Sequence, residues 1–174
     1  MKLLAFAASS SSTSINKKLV TYAASLVANA TVEIIDINDY EMPLFSEDKE
    51  ALGLPAAAQA FYQKLGQADA IVISFAEHNG SYTAAYKNLF DWTTRIDMKI
   101  FQHKPVVFLA TSPGPGGAQS VLSSAVNSAH FFAADVKASV SVPSFFDNYD
   151  GEKQQITNPA IVSELSSALG KLNN

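Results

Sequence analysis

Cysteine is absent from the 174 residues. Its absence removes disulfides, thiolate nucleophiles and cysteine-ligated metals together. It is compatible with a reducing cytosol, and a cytoplasmic location is expected. Charge is scarce too. Lys and Arg number 12 against 16 Asp and Glu, a formal net charge of -4 with no dense basic cluster, so no nucleic-acid partner is expected. No apolar run approaches the roughly 20 residues that a spanning helix needs, so no membrane span is expected. A Gly-x-Ser-x-Gly elbow is missing, which argues against a serine hydrolase, and no Gly-Lys-Ser/Thr follows a glycine loop, which excludes a Walker site. His78, His103 and His130 lie far apart in sequence, and no carboxylate spacing around them makes a metal site.

What is present is a chain with 48% hydrophobic residues, enough to bury a full core as one domain over residues 1–174. Strand-length apolar runs alternate with helical patterns from end to end. Leu3 to Ala8, Thr31 to Ile37, Ala70 to Phe75, Val106 to Ala110 and Val136 to Val142 read as strands. The first resembles a signal peptide only superficially and is expected to be a buried strand. Most of these runs are apolar on both faces, which suits parallel strands covered by helices on each side. Five helical stripes sit between and after them, at spacings of three and four. They carry Ile15, Leu19, Tyr22, Ala23 and Leu26; Ala57, Phe61 and Leu65; Ala85, Leu89, Trp92 and Ile96; Ala118, Leu122, Ala125, Ala129 and Phe132; and Ile161, Leu165, Ala168 and Leu172. Five such alternations predict a doubly wound parallel sheet of order 2-1-3-4-5, with ligands outside the carboxyl ends of the strands.

That topology brings three loops together, after strands 1, 3 and 4. The first, Ser9 to Asn16, has five Ser, one Thr and no charged residue, and runs straight into a helix. Free backbone N–H groups and short hydroxyls there suit a phosphate; a plain N-cap followed by a serine loop is the competing reading. The second, Ala76 to Tyr82, contains Asn79-Gly80, a pair that tolerates positive φ and exposes backbone; a plain strand-to-helix turn competes. The third, Thr111 to Ala118, holds three Gly and two Pro, a shaped loop that lets a flat ring or a second nucleotide approach the backbone.

Taken in order and spacing over nearly the whole chain, these loops resemble the NAD(P)H-dependent FMN reductases, a flavodoxin-like group that includes quinone, chromate and azo-dye reductases. The family's Gly-Ser-x-Arg-x-x-Ser-x-Asn stands here as Ala8-Ser9-Ser10-Ser11-Ser12-Thr13-Ser14-Ile15-Asn16. The resemblance implies that Ser9, Ser14 and Asn16 hold the FMN phosphate, with Ser11 and Ile15 in the same loop. The family's Pro-Glu-Tyr-Asn-Gly-Ser, followed by a helix with Leu-Lys-Asn-x-x-Asp-Trp, stands as Ala76-Glu77-His78-Asn79-Gly80-Ser81 and Tyr86-Lys87-Asn88-Leu89-Phe90-Asp91-Trp92. It implies contacts from Glu77, His78, Asn79, Gly80 and Ser81 to the flavin ring and its ribityl side. The family's Ser-Pro-Gly-x-x-Gly-Gly begins at Ser112, one residue shorter before the paired glycines, and implies Ser112, Gly114, Gly116 and Gly117. Ser11 replaces the family's Arg, Ala76 its Pro and His78 its Tyr.

The resemblance thus implies a flavodoxin-like three-layer sandwich that binds FMN and takes electrons from NADPH or NADH. It implies delivery to a small-molecule electron acceptor, and assembly as a homodimer or homotetramer. No catalytic triad or general base is expected, because the cofactor does the chemistry. Tyr82, Trp92, Phe145, Phe146 and Tyr149 are candidates either to cover a partner subunit's flavin or to pack within their own subunit. Lys87-Asn88 and Asp91-Trp92 are assigned to helix packing or an interface. Three alternatives stand beside the reductase: an FMN electron carrier without a nicotinamide site, a receiver-like signalling domain, and a family member with a degraded flavin site. Carriers are usually more acidic, and a receiver needs acidic residues where this chain has Ala8-Ser9 and Phe75-Ala76.

Overall fold

The computed structural model describes residues 1–173. Strands and helices alternate as β1 (Lys2–Ala8), α1 (Ile15–Ser25), β2 (Thr31–Ile35), α2 (Ala56–Gln67), β3 (Ala70–Phe75), α3 (Ala84–Thr93), β4 (Pro105–Thr111), α4 (Gln119–Ser128), β5 (Asp135–Val142) and α5 (Pro159–Gly170). The strands pair in parallel in the order β2-β1-β3-β4-β5, the expected 2-1-3-4-5.

Strand alternation sends side chains to two cores. Leu4, Phe6, Ile71, Ile73, Phe75 and Phe108 face α2, α3 and α4, which contribute Phe61, Leu65, Tyr86, Leu89 and Val121. Leu3, Ala5, Ala7, Val72, Val107, Leu109, Val140 and Val142 face α1 and α5, which contribute Leu19, Val20, Ala23, Leu165 and Leu169. Each fully buried Phe, Leu, Ile or Val contributes about 1.5–3 kcal/mol. Ala5 and Ala7 meet Ala23 and Ala24 across the second core, all at most 5% exposed. These small residues let α1 lie close on β1, which sets the amino end of α1 over the end of that strand.

Capping follows the sequence. Ser14 accepts the Lys17 N–H at the start of α1, Thr83 the Tyr86 N–H at the start of α3, and Asn158 the Ala160 N–H at the start of α5, with Pro159 at the first helical position. The second strand stops at Ile35, short of the expected Ile37. Asp36 accepts the Asn38 N–H at 3.0 Å and turns the chain into a 3-10 turn, Ile37–Tyr40. Tyr86 is 2% exposed, a core residue that the helical stripe had not included. Burial pushes its phenol well above the ordinary value of 10.0.

Candidate functional site

Strands β1, β3 and β4 are neighbours, so the loops that leave their carboxyl ends stand side by side. Asn16 fastens the ends of β3 and β4 to α1. Its Oδ1 accepts from the Ser74 hydroxyl (2.7 Å) and the Thr111 N–H (3.2 Å), and its Nδ2 donates to the Thr111 carbonyl (3.3 Å). Asn16 is 2% exposed and Ser74 is fully buried. The carboxamide expected at a phosphate is therefore turned inward, into a brace between the first helix and two strands. Thr83 adds a second tie, donating its hydroxyl to the Ala8 carbonyl at 3.0 Å.

The first loop keeps its donors. Ser10, Ser11, Ser12 and Thr13 are exposed. The Ser9 hydroxyl accepts the Ser11 N–H at 3.3 Å, and Ser14 caps the helix; both residues are buried. Among the described residues, the N–H groups of Ser12, Thr13, Ile15 and Asn16 have no protein acceptor. This is an amino-terminal turn with unspent donors and no carboxylate among residues 9–16, a donor set that fits a phosphate. The loop is held from the β2 side by Asn38, which donates to the Ser10 carbonyl at 3.1 Å. Lys17 stands at the end of that turn and pairs with Asp36 at 2.6 Å. The ammonium holds the Asp36 carboxyl below its ordinary value, against a smaller opposing effect of burial. A cleft of about 230 Å³ opens beside the loop, between the 3-10 turn and α3, with Ser10, Asn38, Tyr40, Met42 and Ala85 in its walls.

The second loop is a two-residue hairpin rather than an open turn. Glu77 pairs with Tyr82 and His78 with Ser81, and Asn79 (φ 52) and Gly80 (φ 76) form the tip. Both positive φ values are what a tight hairpin of this hand requires, which accounts for Asn-Gly there. His78, Asn79, Gly80 and Ser81 are exposed. The Asn79 and Gly80 N–H groups have no protein acceptor among the described residues. Glu77 differs: its Oε2 accepts the Val121 N–H in the first turn of α4 at 2.8 Å.

The third loop is fastened from β5 and the segment after it. The Thr111 hydroxyl donates to the Val142 carbonyl (2.6 Å), the Ser141 hydroxyl to the Gly117 carbonyl (2.7 Å), the Ser144 N–H to the Gly114 carbonyl (2.9 Å) and the Phe145 N–H to the Ser112 carbonyl (3.0 Å). The Ser112 hydroxyl closes on the Gly114 carbonyl at 3.1 Å. Gly117 has φ +57, and a Cβ there would overlap the Ser141 Oγ and crowd the Pro143 backbone, so only glycine fits. Gly114 and Gly116 have open space where a Cβ would stand. The loop presents bare backbone outward.

The candidate covering aromatics divide. Trp92 and Phe145 are 1% and 0% exposed and belong to their own subunit's core. The Trp92 Nε1 donates to the Pro43 carbonyl at 2.7 Å, and Asn88 holds Phe45 N–H, Met42 O and Pro43 O. Lys87 pairs with Asp91 one turn on. Asn88 and Trp92 thus brace α3 against residues 42–45, while Lys87 and Asp91 pair along the helix itself. Tyr82 and Tyr149 are half-buried, and Phe146 is exposed. Ser74, Asn38, Thr83 and Ser141 position the loops without having been singled out in sequence. Each acts on a partner at least 24 residues away, and no local motif announces such a pairing. Among the described residues no cluster of His, Asp and Glu could hold a metal ion, and no helix is long and apolar enough to cross a membrane.

The family described as NADPH-dependent FMN reductase matches residues 1–147. An NAD(P)H-dependent FMN reductase of Pseudomonas aeruginosa is 34% identical over 118 residues, 67% of this chain and 63% of that protein. A quinone reductase of Escherichia coli is 35% identical over 97 residues, 55% of this chain and 50% of that protein. The chain thus spans between half and two thirds of these two relatives' lengths. Among solved structures, a flavoenzyme NAD(P)H:(acceptor) oxidoreductase of Paracoccus denitrificans superposes with a TM-score of 0.81 at 20% identity, over 99% of this chain and 95% of that one. At that identity the likeness shows the flavodoxin-like fold.

Proposed function

This chain belongs to the NADPH-dependent FMN reductase family, and from that premise we propose that it is an oxidoreductase that holds FMN across the three loops and passes reducing equivalents from NADPH or NADH to quinone-like or other small acceptors. The observation that carries the reading is the first loop, where hydroxyls and the unspent N–H groups of Ser12, Thr13, Ile15 and Asn16 converge with no carboxylate among them. That chemistry suits a phosphate dianion, and the loop adjoins a hairpin and a glycine loop that suit the rest of the molecule. FMN, when bound, would supply two-electron redox chemistry between a reduced nicotinamide and the acceptor.

The chain's own residues bind and orient. Ser9 to Asn16 offers the phosphate donors, and Ser11, in place of the family's Arg, leaves that loop without a cation. The Asn79 and Gly80 N–H groups are available to the polar edge of a flat heterocycle, and His78 and Ser81 flank them on the exposed side of the hairpin. Gly114 and Gly116 leave an approach free of side chains for a nicotinamide or an acceptor. Ser112 and Gly117 hold the loop in that shape. Asn16 keeps the strand ends fixed, so little has to move when the ligand arrives. Leu44, Leu52 and Leu54 stand exposed on the segment before α2, which supports self-association as a homodimer or homotetramer; light scattering on the purified protein would read a mass well above 18.6 kDa.

The test is a visible spectrum of the purified protein with added FMN, followed by NADH or NADPH without oxygen and then a quinone. The proposal expects a bound yellow flavin that bleaches with nicotinamide and recovers with quinone. A yellow protein that neither nicotinamide can bleach would leave an electron carrier, and a protein that takes up no FMN would overturn both.

A further inference from the structure

The hairpin and the glycine loop leave different strands, yet both must face one ring if the reading above holds. A direct polar link runs from the hairpin to the first turn of the helix that follows the glycine loop. The Glu77 Oε2 accepts the Val121 N–H at 2.8 Å. Helix α4 needs that bond. Its cap residue is Ala118, in the left-handed region with φ 57, which has no side chain able to accept a hydrogen bond, and the first turn holds no acidic residue. Amino-terminal N–H groups left without partners destabilise a helix end, and a carboxylate there also meets the positive end of the helix dipole. Glu77 supplies both from outside, across 44 residues of sequence.

The same residue is locked on its other side. Its backbone pairs with Tyr82 in the hairpin. The Tyr82 ring packs on Phe75 and Tyr86, and the strand that carries Tyr82 lies against α4. Gly117, just before the helix, is held by Ser141. A rigid chain of contacts therefore runs from the hairpin tip through Glu77 to the start of α4 and the glycine loop.

We propose that Glu77 is a positioning residue of the flavin site: its carboxylate caps α4 from the neighbouring loop and fixes the distance between the hairpin at Asn79-Gly80 and the glycine loop at Gly114 to Gly117. It acts on the ring through these two loops and not by touching it. The inference rests on the FMN reading of the preceding subsection.

Two variants separate the contributions. Glu77→Gln keeps an acceptor oxygen of the same reach, and Glu77→Ala removes it. Amide exchange on the flavin-free protein reads the cap itself: Glu77→Ala is expected to speed exchange at Val121, and Glu77→Gln to stay close to wild type. FMN titration then reads positioning. Glu77→Ala is expected to weaken FMN binding roughly fivefold or more, the equivalent of losing one helix cap, and to alter the visible circular dichroism of the bound flavin. Glu77→Gln is expected to restore most of both. Wild-type exchange at Val121 in Glu77→Ala overturns the cap. Faster exchange with wild-type FMN affinity and dichroism overturns the positioning role. Failure of Glu77→Gln to rescue either property also counts against the proposal, since the bond would then contribute nothing beside the charge. A wild-type chain that takes up no FMN overturns the functional reading, and the exchange result still decides whether Glu77 caps the helix.

Discussion

Asn16 carries three hydrogen bonds to Ser74 and Thr111 in a site almost closed to solvent. Removing a partner so that buried polar groups are left unpaired costs about 1–3 kcal/mol per group. Asn16→Ala strands the Ser74 hydroxyl and the Thr111 N–H and carbonyl together. The variant is expected to lose about 2–4 kcal/mol of stability, read from the shift of a urea unfolding midpoint, at the upper end of single hydrogen-bond losses. A midpoint within a few tenths of a kcal/mol of wild type would show that the brace is dispensable. At this scale the sequence spoke unevenly. Asn79-Gly80 announced its turn because its conformation is local. Asn16 did not announce its direction, because its partners stand 58 and 95 residues away. Glu77 is similar: the motif marks it, but only the fold shows that it reaches α4. Tyr86, expected within a motif on the face of a helix, proved to be core because Phe6 and Phe75 close around it.

The elements were the most legible part, since strand and helix periods are written directly in the apolar pattern. Where they deviate, a polar side chain is the cause. Asp36 ends β2 early by capping the 3-10 turn, and the same carboxylate reaches Lys17 on α1. It thereby ties the edge strand to the helix that shapes the first loop. This tie has a pH dependence of definite sign. The Asp36 carboxyl is held below its ordinary value of 3.8, with the Lys17 contact the largest cause, so the folded state prefers the carboxylate. The stabilisation is complete above the ordinary value and is lost as pH falls through the lowered one. Urea midpoints measured from neutral pH down to about pH 3 should therefore fall less steeply in Asp36→Asn than in wild type, because the amide keeps the cap but has no proton to gain. Identical acid slopes in the two proteins would show that Asp36 carries none of the acid sensitivity.

The whole molecule is a parallel sheet between two helical layers, with three loops side by side at the carboxyl ends of its three central strands. Architecture and strand order were readable in advance, because alternation and handedness leave few topologies. The three loops were readable as a set, their residues less so as individuals: His78, Asn79, Gly80 and Ser81 are exposed, while Asn16, Glu77, Ser112 and Gly117 are tied into the loops' frame. Net charge of -4 works against any anion, so a phosphate must be held by local donors and not by the field of the protein. A first loop that grips the phosphate of FMN must discriminate against riboflavin, the same ring without that phosphate. Titration of the flavin-free protein with each should show FMN bound at least roughly a hundredfold more tightly, the equivalent of two charge-assisted hydrogen bonds. Equal affinities for FMN and riboflavin would show that the first loop does not hold a phosphate.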